Sequence, residues 1–169
     1  MFALLLTGPL GAGKSEVASA LHDSLGEAGE DAALIEVDAL ERSHPPIDRE
    51  RAIGHLKMLA GSYRDLGTPV LLVTATLEDD DYRDAAVAAI GADDLMVVRL
   101  EAEPDTLRER ILAREPPGWG GLPDLLNASR DLAESMKSLD AEHVISTEGR
   151  QPAEVAEELE GALRERRGE

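Results

Sequence analysis

The sequence predicts an α/β fold: a parallel β-sheet with helices on both faces, three layers in all. Three observations predict it. Short apolar runs recur five times along the 169 residues, and each is followed by a segment with helical spacing. The runs are apolar throughout, so both faces of each strand must be covered. The first run ends in a glycine-rich turn, G-P-L-G-A-G-K-S at residues 8–15, and a helical pattern begins at once after it.

Taken in order, Ala3 to Thr7 reads as a buried strand. Lys14 to Leu25 is a helix with Val17, Ala18, Leu21 and Leu25 on one face, and Gly26 and Gly29 end it. Ala33 to Val37 is the second strand. A polar, proline-containing stretch follows from Glu41 to Asp48, then a helix from about Asp48 to Leu66 with Ile53, Leu56, Leu59, Ala60 and Tyr63 inward. Pro69 to Thr74 is the third strand, Asp80 to Ile90 a helix and Leu95 to Leu100 the fourth strand. Pro104 to Arg114 is a helix with Leu107, Ile111 and Leu112 on its inner side. Pro116 to Gly121 cannot continue it. A helix from about Leu122 to Leu139, a short strand from His143 to Ile145 and a last helix from Pro152 to about Arg164 complete the pattern, with Pro152 suited to a first turn. Arg164 to Arg167 reads as a frayed end.

Composition narrows the function classes. The net charge is −18, from 17 basic and 35 acidic residues, a surface that repels nucleic-acid phosphates and anionic membranes. There is no cysteine, hence no disulfide framework or thiolate metal site. The opening M-F-A-L-L-L-T-G-P lacks a basic region, and its apolar run is too short for a signal peptide or membrane span, so a cytoplasmic location is expected.

Residues 8–15 match G-x-x-x-x-G-K-[ST], the phosphate-binding loop, in the strand-to-helix context its mechanism needs. Gly8, Gly11 and Gly13 allow a tight turn and close approach to phosphate oxygens, with Pro9, Leu10 and Ala12 between them. The backbone N–H groups form an anion nest, and the helix that follows adds its positive end. Lys14 is expected to reach the β- and γ-phosphates, and the Ser15 hydroxyl to ligate Mg²⁺. The motif therefore predicts ATP and Mg²⁺ as ligands.

From this motif and the element order, the chain resembles the small P-loop kinases, the group of shikimate, gluconate, adenylate and adenylylsulfate kinases. It also looks like actinobacterial-type "AAA family ATPase" sequences and, more loosely, chloramphenicol phosphotransferase. The resemblance spans nearly the whole chain, although only the phosphate loop is a specific motif. It implies a P-loop NTPase fold whose five parallel strands lie in the order 2-3-1-4-5, in one domain over 1–169 with a short lid at about 114–124. It also implies an ATP-dependent phosphotransferase acting on a hydroxyl of a small molecule, as a monomer or homodimer.

Positional correspondences give the other candidates. Asp38, in I-E-V-D-A-L, corresponds to the carboxylate that such kinases set beside the acceptor hydroxyl. There it would orient the hydroxyl and take its proton, or else hold Mg²⁺ through water. The alternative is an ordinary helix cap. Arg110 and Arg114, four apart and so on one helix face, correspond to lid arginines that meet charge on the transferring phosphoryl group. The alternative is a solvated Arg/Glu face. The glycines around Trp119 would let that lid close. The stretch S-T-E-G-R-Q-P-A-E-V-A at 146–156 is similar to a loop near the adenine in relatives, which makes Arg150 a candidate.

The third strand ends V-T-A-T-L-E with no acid directly after its apolar run, which counts against motor-type ATPases and GTPases, and no N-K-x-D occurs. Thr74 or Thr76 would line a substrate pocket or be plain strand residues. Arg42, His44, Arg49 and Arg51 are candidates for an anionic acceptor, each with a surface role as the alternative. A nucleoside or nucleotide kinase and a non-catalytic ATP-binding regulator remain the rival readings.

Overall fold

The computed structural model describes residues 1–168. Its sheet has five parallel strands in the order β2-β3-β1-β4-β5, the order the resemblance implied. They are β1 (Phe2–Thr7), β2 (Ala32–Glu36), β3 (Val70–Thr74), β4 (Asp94–Glu101) and β5 (His143–Ser146). The helices are α1 (Lys14–Glu27), α2 (Val37–Leu40), α3 (Arg49–Asp65), α4 (Asp80–Ile90), α5 (Pro104–Arg114), α6 (Leu122–Ser135) and α7 (Pro152–Arg167). Among the described residues no helix is long and apolar enough to cross a membrane.

Every residue of β1 is buried because its two faces feed two cores. Leu4 and Leu6, with Leu72 and Val98, pack against Val17, Leu21 and Leu25 of α1 and Val155, Leu159 and Leu163 of α7. Ala3 and Leu5, with Leu71 and Val73, pack against Ala52, Leu56 and Ala60 of α3 and Ala86 and Ile90 of α4. A register slip of one residue would exchange the two sets, so the packing of both layers fixes the pairing. Truncating Leu4 or Leu5 to alanine, each fully buried, would cost about 2–5 kcal/mol. Helix starts are set locally. The Asp48 carboxylate accepts from Arg51 N–H to cap α3, the Asp79 carboxylate accepts from Tyr82 N–H to cap α4, and Gln151 and Glu154 form a capping box on α7.

Four sequence expectations change. The second strand ends at Glu36, and Val37 opens the four-residue α2. The expected helix to Leu139 stops at Ser135 and tightens into a 3₁₀ turn over Met136–Ser138. Leu59 and Leu112 are each 37% exposed, because the inward stripes run through Leu56 and Ala60 and through Leu107 and Ile111. One residue along an α-helix turns the side chain by about 100°. The expected frayed tail is instead helical to Arg167, since Arg166 pairs with Asp94 (2.8 Å) and Glu142, and Arg167 with Glu30.

The parallel register brings the carboxyl ends of the strands to one edge. Leu6 pairs with Thr74, Thr74 with Glu36, Thr7 with Arg99 and Glu101 with Ser146. The loops that leave this edge build the crevice where open α/β sheets bind ligands.

Candidate functional site

The loop between β1 and α1 is held close to its surroundings. Gly8 has φ 149°, and a Cβ there would lie 2.4 Å from the Leu100 carbonyl oxygen. Gly11 has φ 84°, and its Cβ would lie 2.8 Å from the Leu107 carbonyl oxygen. Only glycine satisfies both demands at these positions. Other elements grip the loop from outside: the Ser129 hydroxyl of α6 donates to the Leu10 carbonyl at 3.0 Å.

Lys14 begins α1 and is buried. Its ammonium donates to the carbonyls of Gly8 at 2.8 Å and Pro9 at 3.3 Å. Burial lowers the Lys14 pKa from its ordinary value; the Asp38 and Glu16 charges oppose this and the Arg114 charge adds to it. Ser15 follows on the exposed rim. A cleft of about 800 Å³ opens over the loop, floored by Leu10 to Val17 and bounded by Asp38, by Arg110 and Arg114 of α5 and by Thr147 to Pro152 after β5. Gly8 and Pro9 are outside its lining, and Pro9 lines a neighbouring hollow beside Arg99.

Asp38 stands at one end of this cleft, in the first turn of α2, whose N-cap is Glu36. The helix-cap alternative is therefore set aside. The Asp38 carboxylate faces the loop after β3, where it accepts from the Thr76 N–H at 3.0 Å and from the Thr76 hydroxyl at 2.8 Å. Thr74, by contrast, is a buried strand residue outside the cleft lining.

The two arginines of α5 diverge. Arg110 donates to the Gly11 carbonyl (3.2 Å), the Thr147 hydroxyl (2.9 Å) and the Thr147 carbonyl (2.8 Å). The Thr147 hydroxyl in turn reaches the carbonyls of Ala12 (3.1 Å) and Glu101 (3.2 Å). Arg110 thus ties the phosphate loop to the loop after β5. Arg114 is half-exposed, pairs with Glu115 at 2.9 Å and extends its charge toward Lys14. Neither lies in the Pro116–Gly121 turn, where the Trp119 ring packs over Gly121. Arg150 lines the cleft, but its guanidinium is held by the carbonyls of Ser146 and Glu154 and by Glu158 at 2.7 Å.

The candidates of the 42–51 segment fall outside the cleft lining. Arg42 and His44 are exposed and outside the cleft lining. Arg49 pairs with Glu78 and with Asp79 (3.1 Å), and its guanidinium lies 4.8 Å from the Tyr82 ring centroid. The Tyr82 hydroxyl donates to Glu41 at 2.7 Å. Burial, with that carboxylate bond, pushes the Tyr82 phenol well above its ordinary range.

Sequence reasoning missed Thr147, Ser129 and the Asp38–Thr76 contact. Thr147 falls within the 146–156 stretch, whose similarity to relatives drew notice to Arg150 instead. Ser129 and the grip of Thr76 on Asp38 leave no pattern along the chain.

Comparison with known proteins accords with this geometry. The family described as AAA domain matches residues 4–138. The chain is 29% identical over 113 residues to the bifunctional enzyme CysN/CysC of Rhodopirellula baltica, a match that takes in 63% of the chain and spans 17% of that protein's length. The APS kinase CysC of Mycobacterium tuberculosis superposes with a TM-score of 0.65 at 19% identity, covering 96% of both chains. A gluconokinase from Sinorhizobium meliloti superposes with a TM-score of 0.64 at 21% identity, covering 96% of this chain and 91% of its own. These superpositions establish a P-loop fold of the kind found in small kinases.

Proposed function

The chain belongs to the AAA domain family, and on that premise we propose that it is an ATP-dependent kinase that phosphorylates a hydroxyl of a small molecule. One observation carries the proposal: Asp38 and Lys14 border the same cleft, close enough for the carboxylate to influence the ammonium, and Thr76 holds Asp38 rigidly from the far side.

In this reading the N–H groups of the loop and the start of α1 hold the triphosphate. Lys14 exchanges its bonds to the Gly8 and Pro9 carbonyls for phosphate oxygens, which relieves the burial of an ammonium whose hydrogen bonds go to neutral carbonyls. Asp38 orients the acceptor hydroxyl and accepts its proton as the new P–O bond forms. Arg114 meets charge that develops on the transferring group. Arg110 holds the Gly11 and Thr147 carbonyls in place. Mg²⁺ fits as the companion ion, since a serine hydroxyl, phosphate oxygens and a nearby carboxylate form the hard oxygen set it prefers; when bound it neutralises phosphate charge. Ser15 would hold it, with Asp38 near enough to act through water.

The test is an ADP-release screen over sugars, nucleosides, nucleotides and aminated or chlorinated antibiotics. Acceptor-dependent ADP release is expected. ATP binding with no such dependence across these classes would overturn the kinase reading.

A further inference from the structure

Resting on the kinase reading, we infer that the acceptor carries no anionic group: it is an uncharged or amine-bearing hydroxyl compound, selected by the carboxylates around Asp38. The acceptor hydroxyl must lie between Asp38 and the phosphate end of Lys14. Asp38 is therefore a wall of the acceptor site, and what stands next to Asp38 determines the charge the site accepts.

The neighbours are acidic and their cation is already used. Glu41 caps the end of α2 one turn beyond Asp38, and its carboxylate accepts from the Tyr82 hydroxyl at 2.7 Å. Arg49, whose guanidinium lies by the same Tyr82 ring, is held by Glu78 and by Asp79. Arg49, Glu78 and Asp79 together carry one net negative charge, so the group offers a third anion no net attraction. Residues 36–51 and 76–82 together contain nine carboxylates and three arginines. Even if Arg42 and Arg51 swung inward from their exposed positions, the excess would remain negative. Lys14 and Arg114 do not alter this balance, because the triphosphate of the donor claims them. An acceptor carboxylate or phosphate would meet net repulsion in this half-exposed, salt-screened corner, whereas an ammonium would be attracted.

The experiment measures ADP release with matched acceptor trios that share one scaffold: amine-bearing, uncharged and anionic. Examples are a hexosamine, the hexose and its uronate, and an aminonucleoside, the nucleoside and its monophosphate. In the preferred scaffold the anionic member is expected to have a kcat/KM at least ten-fold below the other two. The amine-bearing member should lose kcat/KM as salt is raised. E78Q, which loosens the grip on Arg49, should narrow the anion discrimination several-fold while leaving the KM for ATP unchanged. E41Q, which keeps a partner for the Tyr82 hydroxyl, should weaken the amine-bearing member alone. An anionic member that equals or exceeds its uncharged counterpart would overturn the inference and leave the kinase reading intact. No turnover with any trio, by protein that still binds ATP, would remove both.

Discussion

Thr76 grips both oxygens of the Asp38 carboxylate, one from its backbone N–H at 3.0 Å and the other from its hydroxyl at 2.8 Å. The pairing joins the loop after β3 to the first turn of α2. It fixes the direction in which the remaining lone pairs of Asp38 point. Thr76→Val removes one of the two bonds and keeps the shape. It is expected to lower kcat for phosphoryl transfer about ten-fold, the range a misdirected base produces. The KM for ATP should not change, and Thr76→Ser should restore the rate. Steady-state kinetics on the three proteins checks this.

The Arg110–Thr147 contact predicts a different pattern. If it positions the phosphate loop, its loss should weaken recognition of the phosphates and spare the nucleoside. Thr147→Val is expected to bind ATP about ten-fold more weakly with AMP affinity unchanged, and Thr147→Ser to behave as the parent. Titration calorimetry over AMP, ADP and ATP checks this. An equal loss for AMP and ATP would assign the pair to the base instead.

Lys14 makes the empty site costly to fold. Burial holds its pKa below the ordinary 10.5, so between the folded and unfolded values the unfolded chain binds more protons. Stability of the nucleotide-free protein should therefore rise with pH through that window, the cost being fully present below the folded value. Lys14→Met removes the charge at similar length. It is expected to raise the melting temperature of the nucleotide-free protein at neutral pH and to abolish the further rise given by ATP. Thermal melts with and without ATP check both halves.

Asp79 caps α4 through Tyr82 N–H and also accepts from Arg49. Asp79→Ala should cost about 1 kcal/mol, which in a chain of this size is a melting-point drop of about 2–4 °C. The Tyr82 N–H bond, ahead of Arg49, holds the carboxyl below its ordinary 3.8. Its contribution is present above that value and is lost as pH falls through the lower folded one. The gap between parent and variant should close in strong acid, as read from denaturation at a series of pH values.

The parts of the molecule legible in the sequence are those whose physics is local. The phosphate loop declares itself because glycine alone tolerates the backbone of residues 8 and 11, and the lysine and serine follow at fixed offsets. The apolar runs declared the central strands β1 and β3 because they are buried on both faces, whereas the edge strand β5 buries only Ile145. The strand order came from resemblance to a family, since an apolar run does not say which neighbour it pairs with. Contacts made by folding stayed hidden. Thr76 lies 38 residues from Asp38 and Thr147 lies 37 from Arg110, and nothing along the chain links them. The same reason explains Arg49, which reads as a free cation until the turn before α4 brings Glu78 and Asp79 against it. It also explains the arginines after residue 164, which read as a loose end until Asp94, Glu142 and Glu30 are seen beside them.

The central claim is that the cleft between Lys14 and Asp38 transfers a phosphoryl group to a hydroxyl. The most direct measurement follows label from γ-labelled ATP into an acceptor found by the ADP-release screen, in the parent protein and in Asp38→Asn. The parent should yield a labelled phosphate ester. The variant should bind ATP with unchanged affinity and make the ester at least about 100-fold more slowly, the range expected for loss of a general base. Label recovered only as inorganic phosphate in the parent, or an equal rate of ester formation in the variant, would contradict the account.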